Sequence, residues 1–484
     1  MKTIQKVSTL VLFSILMALT SCEDNLKENI YGTLGDKNFW KTEKDIQEGM
    51  NSAYGQLNTR FNGFSIWQFV IEDCCTDITA STSSYVDFSN YTGWSSTTPD
   101  AINWGIYKYF WSQISYLNKT IDMIPGSEMS DEKKLAYTSE ARALRAFIYF
   151  TLVQWFNDIP LVTSSKEISY SIPQESAAKI YKFIEDELID ASEVLPTKED
   201  YIAQGMKDYA RMSKGAALAL LARTYLVQKK YPECRDVCKR LIEKQDENGK
   251  YSLMDNYKTS FTTTGYDNTE FIWALAGDGV NNGMMLQIYL YKPWANPEKS
   301  FDNIYLVWNG DISLTYNFYQ SFEVGDKRLD CLYYDADSYA DRVMLTKYPA
   351  KSPDKQFSAS DFPVIRYADV LLMYAESLFF ADSDVKGAVK WLNKVRERAG
   401  VTLYDPNMET TATIKTKLYN ERRWELFFEG CGKRDMLRFG TLLNHIQNKS
   451  KDAGGKPERY YYLPFPATAL TANPALKQND GYTK

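Results

Sequence analysis

Glu421, Glu425 and Glu429 recur at four-residue steps, and two carboxylates held on either side of a glycosidic bond are the machinery of a glycan hydrolase. The same spacing, i, i+4 and i+8, puts all three on one helical face, with Arg422 and Arg423 interleaved among them. That is the pattern of a salt-bridged structural helix, so the structural reading outweighs the catalytic one. His445 is the only histidine in the chain. A single imidazole nearly excludes metal centres built on several histidines, HExxH zinc motifs and serine–histidine sites that need a further histidine, and its neighbours Leu442, Leu443 and Ile446 suit packing. Cys234 and Cys238 stand at i and i+4, where thiols pack as small hydrophobes, and a metal would need further ligands close by. These residues give no catalytic group, no metal site and no cofactor.

A second pattern suits binding. Sugar rings present C–H patches that lie flat on aromatic faces, flanked by hydroxyls that need polar partners, so a glycan site wants exposed Tyr or Trp beside Asp, Asn or Arg. Two long segments rich in Gly, Ser, Thr, Asn and aromatics, roughly 58–100 and 247–362, supply both. In the first, Tyr85, Tyr91 and Trp94 stand among Asp77, Asp87 and Asn90. In the second, Trp294, Tyr305 and Trp308 stand among Asn296, Asn303 and Asn309. Loops of this length inside a compact protein are usually functional, which makes these residues the expected ligand set. Trp104, Trp111 and Trp155 belong instead to helical stripes and are expected in the core.

The elements that must carry these residues are helical. Trp104, Tyr107, Trp111, Ile114, Asn118 and Ile121 step by three and four, as do Ala141, Leu144, Ile148, Leu152 and Trp155, so two antiparallel helices are expected to pair. Ile180, Phe183, Ile184, Leu188, Ala191 and Leu195 form a third stripe, stopped by Pro196, which has no amide hydrogen and disfavours helical geometry before it. Ser213 can cap the next helix through its hydroxyl. That helix and its successor match the tetratricopeptide pattern of about 34 residues per helix pair. Leu218, Leu221, Ala222 and Tyr225 fall in the first helix, and Cys234, Cys238 and Leu241 in the second. Leu371, Tyr374, Ala375 and Leu378, then Ala388, Leu392 and Val395, look like another unit.

The expected fold class is therefore mainly α, a tetratricopeptide-like repeat scaffold with units over about 104–245 and 366–430. Long irregular loops and a few short strands, such as FIWALA and QIYLY, complete it. Each helix pair buries its face only against its neighbours, so an array alone suggests a binding surface.

The N-terminus addresses the chain. Lys2 and Lys6 precede a 13-residue, mostly apolar run from Val7 to Leu19. A bilayer core of about 30 Å is too thick for such a run to span, so residues 1–21 read as a leader. The Leu-Thr-Ser-Cys that follows resembles a bacterial lipobox, in which Cys22 becomes the first residue of the mature chain and carries the lipid. Glu23 and Asp24 resemble the export signal that sends Bacteroidota lipoproteins to the outer face of the outer membrane. The remaining 463 residues, 22–484, are expected to form a single domain tethered only by that lipid, because no other stretch approaches 18 apolar residues. A net charge of −6 argues against nucleic acid as a partner, since phosphate binding needs clustered Lys and Arg. Six cysteines beyond Cys22 lack framework spacing, so few or no disulfides are expected.

A series of motifs now falls into order. NFWKTEKDIQEGMNSAYGQL, WSQISYLNKTIDMIP and EARALRAFIYFTLVQWFNDIPLVT come first; YADVLLMYAESL with LNKVRERAGV, ERRWELFFEGCGKRDMLRFG and YYLPFPATALTANPALKQNDGY follow. With a lipobox ahead of them, the chain strongly resembles the SusD/RagB family of outer-membrane nutrient-uptake lipoproteins. It departs from the family pattern at Asn157, where Gly is usual, at Cys431 and Gly432, and at Asp480, where Pro is usual. The resemblance implies a tetratricopeptide-like scaffold whose long loops form the ligand face. It also implies a SusC-like TonB-dependent transporter as partner, over which the lipoprotein acts as a lid that captures oligosaccharide at the cell surface. In that picture the chain is not an enzyme; the alternatives are a peptide-capturing RagB-like member or a surface glycan hydrolase.

Overall fold

The structure, a computed structural model, describes residues 39–58, 63–81, 86–92, 94, 100–167, 169–203, 209–277, 312–337, 341–348, 360–450 and 456–482. Its longer helices are α1 (Glu43–Leu57), α2 (Asp100–Met123), α3 (Asp131–Phe156), α4 (Ala177–Val194), α5 (Lys214–Val227) and α6 (Tyr231–Glu243), then α7 (Tyr367–Asp382), α8 (Val385–Ala399), α9 (Thr411–Leu426), α10 (Gly432–Phe439) and α11 (Leu442–Lys449). From α2 to α9 each helix packs on the next along the chain, the stacking of a helical repeat. The fold is mainly α, as the stripes predict. The step from α6 to α7 is informative, because residues 244–366 intervene and yet the two helices pack as neighbours. That long insertion leaves and re-enters the array at one helix junction.

Local chemistry accounts for the helix ends. Ser213 accepts a hydrogen bond from the Ala216 amide at 3.2 Å, and Ser130 and Ser176 cap α3 and α4 in the same way. α4 stops at Val194 with Leu195 as its cap, one residue before Pro196. In α6 the buried residues are Cys234, Cys238 and Leu241, so both thiols pack as the periodicity predicts. Asn157 ends α3 at φ +64°, a backbone conformation that L side chains rarely adopt, which gives the physical reason a glycine suits that position.

The strands are short and belong mostly to the insertion: β1 (Thr79–Ser81), β2 (Ile159–Pro160), β3 (Gln174–Glu175), β4 (Phe271–Leu275), β5 (Ile312–Thr315), β6 (Leu332–Tyr334), β7 (Arg342–Leu345) and β8 (Phe362–Arg366). They form a four-stranded antiparallel sheet in the order β1-β5-β7-β6 and two antiparallel pairs, β2 with β3 and β4 with β8. The first five residues of FIWALA are β4, fully buried; QIYLY lies outside the described residues.

A buried ion network joins the insertion to the array. Arg366, at the end of β8, meets Glu425 at 2.6 Å and Glu429 at 2.7 Å, and also pairs with Glu270 just ahead of β4. Arg328 reaches Glu421 at 2.6 Å, Arg396 of α8 reaches the same carboxylate at 2.9 Å, and Lys347 reaches Glu429 at 2.6 Å. Arg398 joins Glu270 and Glu425. Glu429 arrives at this cluster from the turn beyond α9, not from the helical face that its spacing suggests, because the chain leaves the helix at Leu426. A second cluster holds Asp369 of α7 between Arg223 and Arg422 at 2.6 and 2.9 Å.

Burial alone would raise the Asp369 and Glu425 carboxyl pKa values, but their guanidinium partners outweigh it. Asp369 is held at about 2 by Arg223 and Arg422, and Glu425 lies well below the usual carboxylate range beside Arg398, Arg366 and Arg328. A carboxylate whose folded pKa lies below its unfolded value stabilises the fold above the unfolded pKa and stops doing so as pH falls through the folded one. Through Asp369 alone, the unfolding free energy from urea titrations is therefore expected to fall by about 2 kcal/mol between about pH 5 and pH 2. A flat acid limb would contradict the ion-pair assignment.

Candidate functional site

Sheet register brings the two ligand-type segments to one place. Ser81 at the end of β1 pairs with Ile312 at the start of β5. β5 and β7 run antiparallel with Leu314 opposite Val343, so Leu345 lies at the same end of the sheet as Ile312 and Ser81. The stretch 82–85 follows Ser81, 278–311 precedes Ile312, and 349–359 comes shortly after Leu345. In the other pair Leu275 lies opposite Phe362, so 278–311 departs beside the point where 349–359 returns. The described residues thus anchor the two aromatic-rich segments at paired strand ends, Ser81 beside Ile312 in one sheet and Leu275 beside Phe362 in the other. The Arg366 ion pairs with Glu270, Glu425 and Glu429 clamp those strands to α9 and to the turn after it.

The expected ligand residues divide sharply. Tyr85, Trp294, Asn296, Tyr305 and Trp308, with Asn303 and Asn309, lie outside the described residues, as does the Asp87 side chain. Tyr91 and Trp94 are corrected: they are 1% and 3% exposed and cannot offer a ring face to sugar. Tyr91 turns in at φ +59° and donates to the Cys75 carbonyl at 2.5 Å, and Trp94 donates to the Phe88 carbonyl at 3.2 Å. Their rings lie 5.5 Å apart, Tyr460 packs on both, and the Lys433 ammonium sits 4.1 Å from the Trp94 ring. They hold the first segment down onto the core. Asn90 is half-buried in the turn before them. Asp77 is exposed but lies at the opposite end of the sheet, where it pairs with Arg423 at 2.6 Å.

Residues considered for chemistry take structural places. Glu421 and Glu425 are wholly buried and bound to arginines, so neither faces a substrate. His445 is buried against Tyr91, and burial depresses its imidazole to about 4, leaving it neutral at pH 7. Six cysteines among the described residues are free thiols, five of them buried. Burial raises the Cys75 and Cys331 thiols to about 12, far from a reactive thiolate. Trp155 is core and bonds Glu72 at 3.1 Å; Trp111 is half-buried and lines a groove of about 290 Å³, and the Trp104 side chain lies outside the description.

Two features escape the sequence reading. Tyr316, Tyr319 and Tyr334 gather half-exposed, with the closest pair of rings 4.4 Å apart, because β5 and β6 both end beside β7. A cavity of about 840 Å³ opens between the end of α3, Gln174 and the segment 456–480, lined by Tyr461 and Tyr462. Two of the departures from the family pattern, Asn157 and Asp480, line this same cavity. No local periodicity announces either site, since each joins residues far apart in the chain.

Two family models match: the one described as "SusD family" over residues 334–482, and the one described as "Starch-binding associating with outer membrane" over residues 33–226. SusD-like protein P2 of Formosa agariphila is 24% identical over 530 residues, covering 97% of this chain and 98% of that one. Starch-binding protein SusD of Bacteroides thetaiotaomicron is 22% identical and covers 78% of each chain. A solved "Laminarin binding SusD-like protein" superposes with a TM-score of 0.73 at 25% identity, over 91% of this chain and 100% of that one. Among the described residues no helix is long and apolar enough to cross a membrane. With family models matching both halves of the sequence, and relatives and structures aligned over nearly its whole length, the chain belongs to the SusD/RagB family.

Proposed function

We propose that this chain is a glycan-binding lipoprotein of the outer cell surface, held by lipid on Cys22, that captures oligosaccharide and delivers it to a SusC-like TonB-dependent transporter without cleaving it. The observation that carries the reading is the pairing of strand ends, Ser81 with Ile312 and Leu275 with Phe362, from which the aromatic-rich segments depart. A ligand face made by those segments would present Tyr85, Trp294, Tyr305 and Trp308 with Asn296 on a rigid frame, and aromatic planes beside amides suit sugar. The starch-binding and laminarin-binding names of the relatives support the ligand class.

Calorimetric titration with maltohexaose, laminarihexaose, xylohexaose and a peptide panel tests this. Trp294→Ala and Trp308→Ala are each expected to weaken the cognate hexasaccharide about tenfold, roughly 1.4 kcal/mol, with thermal stability unchanged. Binding of peptides alone would sink the glycan reading in favour of the RagB-like one. Release of reducing ends over a long incubation would overturn the non-enzymatic one.

A further inference from the structure

We propose that the cavity between the end of α3 and the C-terminal segment is a second saccharide site, separate from the loop face. At about 840 Å³ it is large enough for several sugar units, within the range of small-molecule pockets. Its walls are pre-built. Gln174 donates to the Lys477 carbonyl at 3.1 Å and accepts from the Lys477 amide at 2.9 Å. Asn479 donates to the carbonyls of Phe156 and Leu463 at 2.9 and 2.7 Å, and Gln478 ties both backbone groups of Phe465 at 2.8 and 2.9 Å. These bonds join three chain segments, so the hollow is a fixed shape, and a ligand meets little ordering penalty on entering it.

The lining selects the ligand class. Tyr461 and Tyr462 are half-buried on the wall, offering apolar ring surface with a polar edge. Asp158, also in the lining, spends Oδ1 on the Ala177 amide at 2.8 Å and on Asn157 at 3.2 Å, and its Oδ2 has no partner among the described residues. Charges around the wall cancel, with Asp158, Glu458 and Asp480 against Lys456, Arg459 and Lys477. A phosphate or polyanion gains no net attraction there. A neutral polyhydroxylated ligand finds charged donors and acceptors for its hydroxyls and rings for its C–H faces. The lining draws on no residue of the two loop segments, although it backs onto the first of them through Tyr460, whose ring packs on Tyr91 at 5.3 Å.

Hydrogen–deuterium exchange on the mature chain with millimolar maltohexaose, laminarihexaose or xylohexaose tests the proposal, using the unmodified chain and the Trp294→Ala/Trp308→Ala variant. One hexasaccharide is expected to slow exchange in 474–482 in both proteins, and adding Tyr461→Ala to the loop variant is expected to weaken its remaining affinity about tenfold. Protection confined to the loop segments of the unmodified chain, or residual affinity untouched by Tyr461→Ala, would overturn the second site and leave the loop reading standing. No protection anywhere would sink both. The exchange experiment on the unmodified chain decides the matter even if the Tyr461 variant folds poorly.

Discussion

Arg366→Met is expected to lower the unfolding free energy by about 3–5 kcal/mol, measured by urea titration at pH 7. Five cations, Arg328, Lys347, Arg366, Arg396 and Arg398, face five buried carboxylates, Glu270, Asp326, Glu421, Glu425 and Glu429. Removing the guanidinium leaves three carboxylates sharing fewer donors in a site closed to solvent. Breaking such a pair is strongly destabilising even where the intact pair adds little over an apolar substitute, because the penalty lies in the uncompensated charge. Glu429→Gln in the Arg366→Met background should therefore recover part of the loss, a coupling that a double-mutant cycle reads directly. A change below about 1 kcal/mol, the range of an exposed pair, would show that the network is screened by solvent. The variant should also weaken glycan binding, since Arg366 and Glu270 hold the strands from which the ligand segments depart.

Cys22→Ala is expected to move the protein from the membrane fraction to the medium and to abolish uptake of the cognate glycan, while isolated binding stays unchanged. Each buried methylene of an acyl chain contributes about 0.8 kcal/mol to membrane attachment, and no helix among the described residues could replace it. The described residues begin at Phe39, and folding is expected to survive the change. Fractionation, thermal unfolding and growth on the glycan separate these effects. Normal growth with the protein released would count against delivery by a tethered lid.

Much of the scaffold is legible in the sequence because its signals are local. A stripe at three- and four-residue steps places Ala141, Leu144, Ile148, Leu152 and Trp155 on one side of a single helix, and all five are buried. Ser213 and Pro196 mark helix ends through backbone chemistry that reaches only three or four residues. Tyr91 and Trp94 show where such reasoning stops. Their polar neighbours suggest a ligand loop, but whether a ring faces sugar or core depends on Tyr460 and Lys433, more than 300 residues away.

The glutamates of α9 divide along the same line. Their spacing beside arginines was enough to favour ion pairs over catalysis, since helix geometry fixes which side chains share a face. Their partners, Arg328, Arg366 and Arg398, come from other elements, and only the packing of the insertion against α9 decides that they are fully buried. The polar cavity belongs wholly to the tertiary structure. Asn157, Gln174 and Asn479 meet because the C-terminal segment folds back across the end of α3, and contacts between distant segments leave no period in the sequence. The sequence by itself determined the helices, their caps and the family; the three-dimensional packing decided which aromatics are core, which charges are paired, and where a ligand can enter.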